Sequence, residues 1–307
     1  MWHNEKASTS KCLRDINMTL ELLVSCVQKD PRELSAQMHI ASDAVIVSQG
    51  ETLDSSETFE LAGRRMTSIK STARGVGLSR NTCMANSEDD IIVFADEDIV
   101  YEEGYEGLIM REFNNHPEAD IILFNVKVCE ERRTYWNEGF KQVKWYNCGR
   151  YPAYSIASRN ARLRVSGVKF SLLFGGGAKY SNGEDSLFLN DCLKAGLNIY
   201  ATETVIGEEI PRPSTWFHGY TDKYFYDRGV LYHFLYEKYA KLFGIRWLLK
   251  TKKDYSATYP YAKAKEMLFM GVKDADTVDR VFEDGKLVMP DTPQSADNSD
   301  NEKKPDK

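Results

Sequence analysis

The chain has 307 residues, 42% of them hydrophobic and 28% charged, with a formal net charge of −6. That length suits one large domain or one domain with an appendage, and the acidic balance counts against a general nucleic-acid binder, which carries a basic surplus. Six scattered cysteines (12, 26, 83, 129, 148, 192) form no Cys-x-x-Cys pair. Reduced, mostly buried thiols are therefore expected rather than a zinc site or disulfide framework.

The polar start Met1-Trp2-His3-Asn4-Glu5-Lys6 lacks the apolar stretch of a signal peptide. No apolar run reaches the length of a membrane span, so the expected location is cytoplasmic. Short apolar runs at 20–27, 44–48, 91–95 and 121–128 are bounded by loop signals and suit buried strands. Helices are expected over 78–86, after Gly75-Val76-Gly77, and over 104–115, where Leu108, Ile109, Glu112 and Phe113 share one face up to His116-Pro117. Strands alternating with helices predict an α/β fold with a mostly parallel sheet. Ligands of such sheets bind beyond the carboxyl ends of the strands.

Residues 129–170 are aromatic and basic with weak periodicity, and are read as strands and loops lying over the sheet. A helix is expected over 184–195, stopping at Gly196, and another over 222–249. Within the latter, 236–250 mixes Lys and Arg with aromatic and aliphatic residues. It reads as an amphipathic helix packed on the main domain or as an interfacial helix touching an anionic membrane. Residues 291–307 have almost nothing to bury and are expected to be disordered. The division expected is an N-terminal segment 1–18, a main domain 19–220, a helical extension 221–290 and the tail 291–307.

Three clusters carry chemistry. Asp96-Glu97-Asp98 directly follows the run Ile91-Ile92-Val93-Phe94-Ala95. If the extended backbone continues, Asp96 and Asp98 share a face and suit a hard divalent cation, Mg2+ or Mn2+, that neutralises a leaving diphosphate; a solvated acidic turn is the plain alternative. Gly175-Gly176-Gly177 permits close ligand approach and precedes Gly183-Glu184-Asp185 at a helix start. There Asp185 is a candidate general base, or an ordinary first-turn acid favoured by the helix dipole. Arg80 opens a helix and could grip phosphate oxygens, with Arg74 a weaker candidate; both also fit an ordinary turn. His218 is a candidate metal ligand or phosphate donor, or a structural histidine. His3, His39, His116 and His233 show no constellation.

The order of Gly-Leu-Ser-Arg-Asn (77–81), Asp-Glu-Asp (96–98) and Gly-Glu-Asp (183–185) resembles glycosyltransferase family 2, with its GT-A fold, over roughly residues 20–220. Gly-Gly-Ala-Lys-Tyr (176–180) and Ser-Thr-Trp-Phe (214–217) resemble transferases of capsular and exopolysaccharide clusters.

The resemblance implies an inverting, nucleotide-sugar-dependent transferase acting on a glycan or lipid-linked acceptor, with no covalent sugar–enzyme intermediate. It places Asp96 and Asp98 on the motif that holds metal and diphosphate, with His218 near a late histidine beside the diphosphate. It places Arg80 on the nucleotide contact, Asp185 on the catalytic base with Glu184 beside it, and Ser25 near the nucleotide pocket. Gln49 stands where members carry an acidic pair, so the base recognised stays open; Gly176 and Gly177 complete the expected donor site. Two other readings compete. A nucleotidyltransferase would need a glycine-rich loop after the first strand, and Val24-Ser25-Cys26-Val27-Gln28-Lys29 has none. A silent nucleotide-sugar-binding or scaffold subunit of a polysaccharide assembly complex would not need both carboxylate pairs.

Overall fold

The protein is described here by a computed structural model covering residues 18–211 and 219–278. The expected segment 1–18 (except Met18), His218, the 214–217 motif and the tail 291–307 lie outside the described residues. The chain opens with β1 (Leu20–Val27), α1 (Pro31–Gln37), β2 (Asp43–Gln49), β3 (Ser55–Leu61) and β4 (Arg64–Ser71). It continues through α2 (Val76–Asn86), β5 (Ile91–Asp96), β6 (Ile99–Tyr101), α3 (Tyr105–Asn115) and β7 (Ile121–Lys127). Then come β8 (Lys141–Gln142), β9 (Ile156–Arg159), α4 (Asn160–Ser166), α5 (Glu184–Lys194) and β10 (Ile199–Glu209). The helices α6 (Asp222–Tyr236), α7 (Ala240–Lys250), α8 (Lys252–Tyr255) and α9 (Tyr261–Asp274) follow.

Among the described residues the strands make one sheet in the order β3-β4-β2-β1-β5-β9-β7-β10-β6, with β8 paired to β10. Strands β4, β2, β1 and β5 run parallel, and β7 runs parallel to β10. β9 lies antiparallel between β5 and β7, so those two point the same way. The sheet is thus mixed but mostly parallel, and the carboxyl ends of β1, β2 and β5 open on one edge. Its inner strands are apolar on both faces, as a doubly covered sheet requires. In β1, Leu22 and Val24 enter one core while Leu23 enters the other; in β5, Val93 and Ala95 oppose Ile92 and Phe94.

Two expectations need correction, and one element is absent from the sequence reading. Residues 129–170 do not lie over the sheet as strands: β9 inserts into it, and Asn160–Ser166 is a helix. The expected helix 222–249 is two helices, broken at Glu237, where φ is +48°. The β3–β4 hairpin was not foreseen. Its two-residue turn, Ala62-Gly63, holds both residues at positive φ, the geometry that matches strand twist. Only Gly63 signals it, and the outward strand β3 is too polar to show a buried face.

The helices α6–α9 share a core with Phe174, Tyr180 and Leu187 from the sheet-bearing part of the chain. No helix among the described residues is long and apolar enough to cross a membrane.

At the amino ends of the strands, far along β1 from Ser25, Glu21 is buried. It accepts from the Glu88 backbone N–H at 3.0 Å and meets Arg65 at 3.4 Å, beside Asp89 and Asp43. Burial is the largest effect and, with those neighbouring carboxylates, pushes its carboxyl from the ordinary 4.5 to about 7. A raised carboxyl gives stability that is fully present below the unfolded value and is lost as pH rises through the folded one. Glu21→Gln should therefore gain stability over the parent between pH 5 and pH 8, by on the order of 3 kcal/mol. Urea unfolding at both pH values measures this; a gap that does not change with pH contradicts it.

Candidate active site

The site is organised by α2, and each residue of its first turns has a physical task. Gly77 passes so close to the 170–174 segment that a Cβ there would stand 2.2 Å from the Ser171 carbonyl oxygen. Ser79 donates its hydroxyl to Ser25 Oγ at 3.0 Å, tying α2 to β1. Asn81 clamps Phe170 through both amide groups, donating to its carbonyl at 2.9 Å and accepting its N–H at 2.8 Å. Arg80, between them, is buried.

Arg80 donates from Nη2 to Asp96 Oδ1 and from Nη1 to Glu184 Oε1, both at 2.9 Å. Its guanidinium lies 5.3 Å from the centroid of Phe170, which stacks on Phe188 at 4.0 Å. Burial disfavours its charge, but Asp96 and Glu184 outweigh that and hold its pKa above the ordinary arginine value. One cation, 16 residues from Asp96 and 104 from Glu184 in sequence, thus joins the end of β5 to the start of α5.

Asp185 stands beside this bridge, half-buried, with Oδ2 accepting the Ala153 N–H at 3.2 Å. Burial pushes its carboxyl well above the ordinary carboxylate range; Glu184 adds to this and Arg80 works against it. Asp96, Glu184 and Asp185 are therefore brought together around Arg80.

Asp98 is placed otherwise. The extended backbone ends at Asp96, and Glu97-Asp98 form a turn before β6, so the same-face alternation does not hold. Glu97 caps the end of β1 by accepting the Val27 N–H at 2.9 Å, and Asp98 is buried. Among the described residues no three His, Cys, Asp or Glu side chains cluster as a metal cage. Asp96 Oδ2 has no protein partner among them and its side chain is 29% exposed. That suits a cation held by one or two carboxylates and completed by diphosphate oxygens and water, not one enclosed by protein.

The remaining expected donor residues line the same edge. Gln49, at the end of β2, accepts the Gly75 N–H at 2.7 Å. A small pocket there is lined by Gln49, Ser71, Ala73, Gly75 and Ser79. Arg74 is exposed, with its guanidinium over Gly50. Gly176 accepts the Val76 N–H at 3.0 Å, and Gly176 and Gly177 are exposed beside the start of α2. Gly175 holds φ at +102°, and a Cβ there would stand 2.7 Å from the Glu184 carboxyl carbon, so this loop packs on the ion-pair centre.

Two contributors were not foreseen. Ala153 holds Asp185 through its backbone, a role no side-chain pattern reveals. Asp227 of α6, buried, accepts both the N–H and the hydroxyl of Ser181 at 3.0 and 2.9 Å, fixing the approach to α5.

No protein-family model matches the chain, and no curated protein does. Solved structures match in fold. S. aureus TarS 1-349 in complex with UDP-GlcNAc is 14% identical, with 78% of this chain and 74% of that chain covered and a TM-score of 0.53. The complex of TarS 1-349 with UDP is 14% identical, with 80% and 74% covered and a TM-score of 0.52. Against a longer S. aureus TarS structure the chain covers 44% of that chain. The mannosyltransferase PcManGT from Pyrobaculum calidifontis, in complex with GDP-Man and Mn2+, is 12% identical, with 85% and 87% covered, but its TM-score of 0.47 carries no weight. The chain has a GT-A-type fold: a mixed, mostly parallel sheet flanked by helices, with a helical C-terminal region.

Replacing Arg80 by Met should strand two carboxylates. Breaking a buried pair costs several kcal/mol; because Asp96 keeps water, roughly 2–4 kcal/mol is expected. Adding Glu184→Gln to Arg80→Met should recover part of the loss. Urea unfolding checks both, and an Arg80→Met protein as stable as the parent contradicts the bridge.

Proposed function

We propose that this chain is an inverting glycosyltransferase that moves a sugar from a nucleotide-diphosphate donor to a hydroxyl of a glycan or lipid-linked acceptor. The observation that carries the reading is Asp185: a carboxylate with a raised pKa beside the Arg80–Asp96–Glu184 centre, on the sheet edge where α/β folds bind ligands. The shared fold supports it, since TarS was solved with UDP-GlcNAc and with UDP.

In this reading Ser25, Gln49, Gly176 and Gly177 line the nucleotide side, and Arg80 and Asp96 face the diphosphate. Asp96, with Asp98 and His218 as further ligands, would hold Mg2+ or Mn2+, which supplies charge neutralisation for the leaving diphosphate. Glu184 is occupied by Arg80, so it tunes the centre and Asp185 takes the proton. The acceptor oxygen attacks the anomeric carbon as its proton passes to Asp185. The bond from that carbon to the diphosphate oxygen breaks on the opposite face, and the nucleoside diphosphate leaves with the electron pair. Configuration inverts in one displacement. Surface-polysaccharide synthesis is the setting that fits the capsular-type motifs.

Asp185→Asn should lower turnover roughly 10²–10⁴-fold while donor binding persists; binding without turnover in the parent, across a panel of acceptors, would instead favour a scaffold subunit. The pH profile gives a second check. A base acts deprotonated, so kcat/KM should fall as pH drops through the raised pKa of Asp185. Glu184→Gln removes a charge that raises that pKa, and should move the acid limb to lower pH. A limb that stays in place in that variant, or moves up, contradicts Asp185 as the base.

A further inference from the structure

Helix α7 has its inner face fixed. Ala240, Gly244 and Leu248 are buried, and a Cβ on Gly244 would stand 2.6 Å from Leu268 of α9, so the two helices are in close contact. At about 100° per residue, the positions turned farthest from that face are 242 and 246, with 249 next. A helix on an ordinary solvated surface carries polar residues there. Here Arg246 is joined by two leucines, Leu242 and Leu249, 64% and 58% exposed. Scattered exposed leucines need no explanation, but two on the outward face of one helix do.

The surroundings are basic. Residues 238–253 hold six cations, Lys238, Lys241, Arg246, Lys250, Lys252 and Lys253, and no carboxylate, in a chain whose net charge is −6. All six are exposed. On α7 itself, Arg246 lies beside the two leucines on the outward face and Lys241 and Lys250 flank it, where long stems can lie along apolar surface while the charges reach outward.

The apolar surface continues onto the sheet-bearing part. Trp145, 49% exposed, meets Phe243 of α7 at 5.9 Å between ring centroids, and Tyr146, 58% exposed, meets Trp145 at 5.7 Å. Exposed Trp and Tyr beside Leu, ringed by Lys and Arg, are the residue set of a protein lying at a membrane–water boundary.

We infer that α7, with Trp145 and Tyr146 beside it, docks on an anionic lipid bilayer. Charge complementarity and the two outward leucines select that occupant: cations alone suit any polyanion, whereas exposed leucines gain by entering an apolar phase. The placement deepens the proposed transfer and rests on it for the acceptor alone. The segment from Trp145 reaches inward through Gly149, whose carbonyl accepts the Ser186 hydroxyl at 3.1 Å, to Ala153 against Asp185. A hydroxyl carried on a lipid-linked acceptor would approach the base from the docked side.

Flotation of the full chain with vesicles tests this without turnover, so it fails independently of the catalytic reading; Asp185→Asn should float as the parent does. The parent should float with vesicles of equal parts phosphatidylglycerol and phosphatidylcholine at low salt. With phosphatidylcholine alone, or in high salt, binding should fall about tenfold or more. Leu242→Glu/Leu249→Glu should lose at least about tenfold in binding while keeping its melting temperature and any donor-induced thermal shift. Lys241→Glu/Lys250→Glu should lose binding to the anionic vesicles. No flotation of the folded parent overturns the inference. So does undiminished binding by the Leu242/Leu249 variant, which would mark a general polyanion surface. A dimer that this variant dissolves, without vesicle binding, overturns it in favour of a second copy of the chain.

Discussion

A single guanidinium, that of Arg80, holds two distant parts of the sequence in one place. Asp96 ends a strand in the first third of the chain, and Glu184 begins a helix far downstream. Glu184, buried here, would not be stable without a cation, and the buried guanidinium would not be stable without carboxylates to pair with. The bridge therefore fixes the distance between the end of β5 and the start of α5. Asp185, next in sequence to Glu184, takes its position as a consequence. It is left with a backbone N–H rather than a cation as its direct partner, and burial raises its pKa. The same arrangement yields one carboxylate committed to charge pairing and one held ready for a proton.

The supports of this bridge are apolar and backbone contacts. Phe170 and Phe188 stack beneath the guanidinium, and Phe94 packs edge-on against both. Asn81 locks Phe170, and Gly77 and Gly175 leave no room for a side chain between the 170–175 segment and the site. From the C-terminal helices, Asp227 anchors Ser181 just before α5. Disturbance of α6 should therefore reach α5 through one buried carboxylate, which couples the helical region to the candidate site physically as well as by proximity.

The strands β1, β2, β5 and β7 were legible because each is a short run apolar on both faces, the pattern of an inner strand. Helices α2, α3 and α5 were legible through spacing and through the glycine that ends α5. Strand β9 was not, because four residues with Ser and Arg among them carry little periodicity and owe their conformation to the two neighbours that flank them. The break at Glu237 was hidden for a related reason: no Gly or Pro marks it, and packing of α6 and α7 on α9 sets the angle. In the site, Arg80, Asp96, Glu184 and Asp185 were found from motif order. The partnership of Arg80 with two carboxylates was not, since linear order says nothing about which charges meet. Asp96 and Asp98 do not alternate along one face because a turn, stabilised by Glu97 capping β1, ends the strand at Asp96, two residues before Asp98. His218 lies outside the described residues, and its part in metal binding stays a proposal.

The central claim is that the Arg80–Asp96 end of the bridge receives a nucleotide diphosphate and its cation. Calorimetric titration of the parent and of Asp96→Asn with a panel of nucleotide sugars, with and without Mn2+, tests it most directly. The account predicts metal-strengthened binding of one donor to the parent, reduced at least about tenfold in Asp96→Asn, a loss near 1.4 kcal/mol. Equal affinity of both proteins for that donor in the presence of Mn2+ would contradict it.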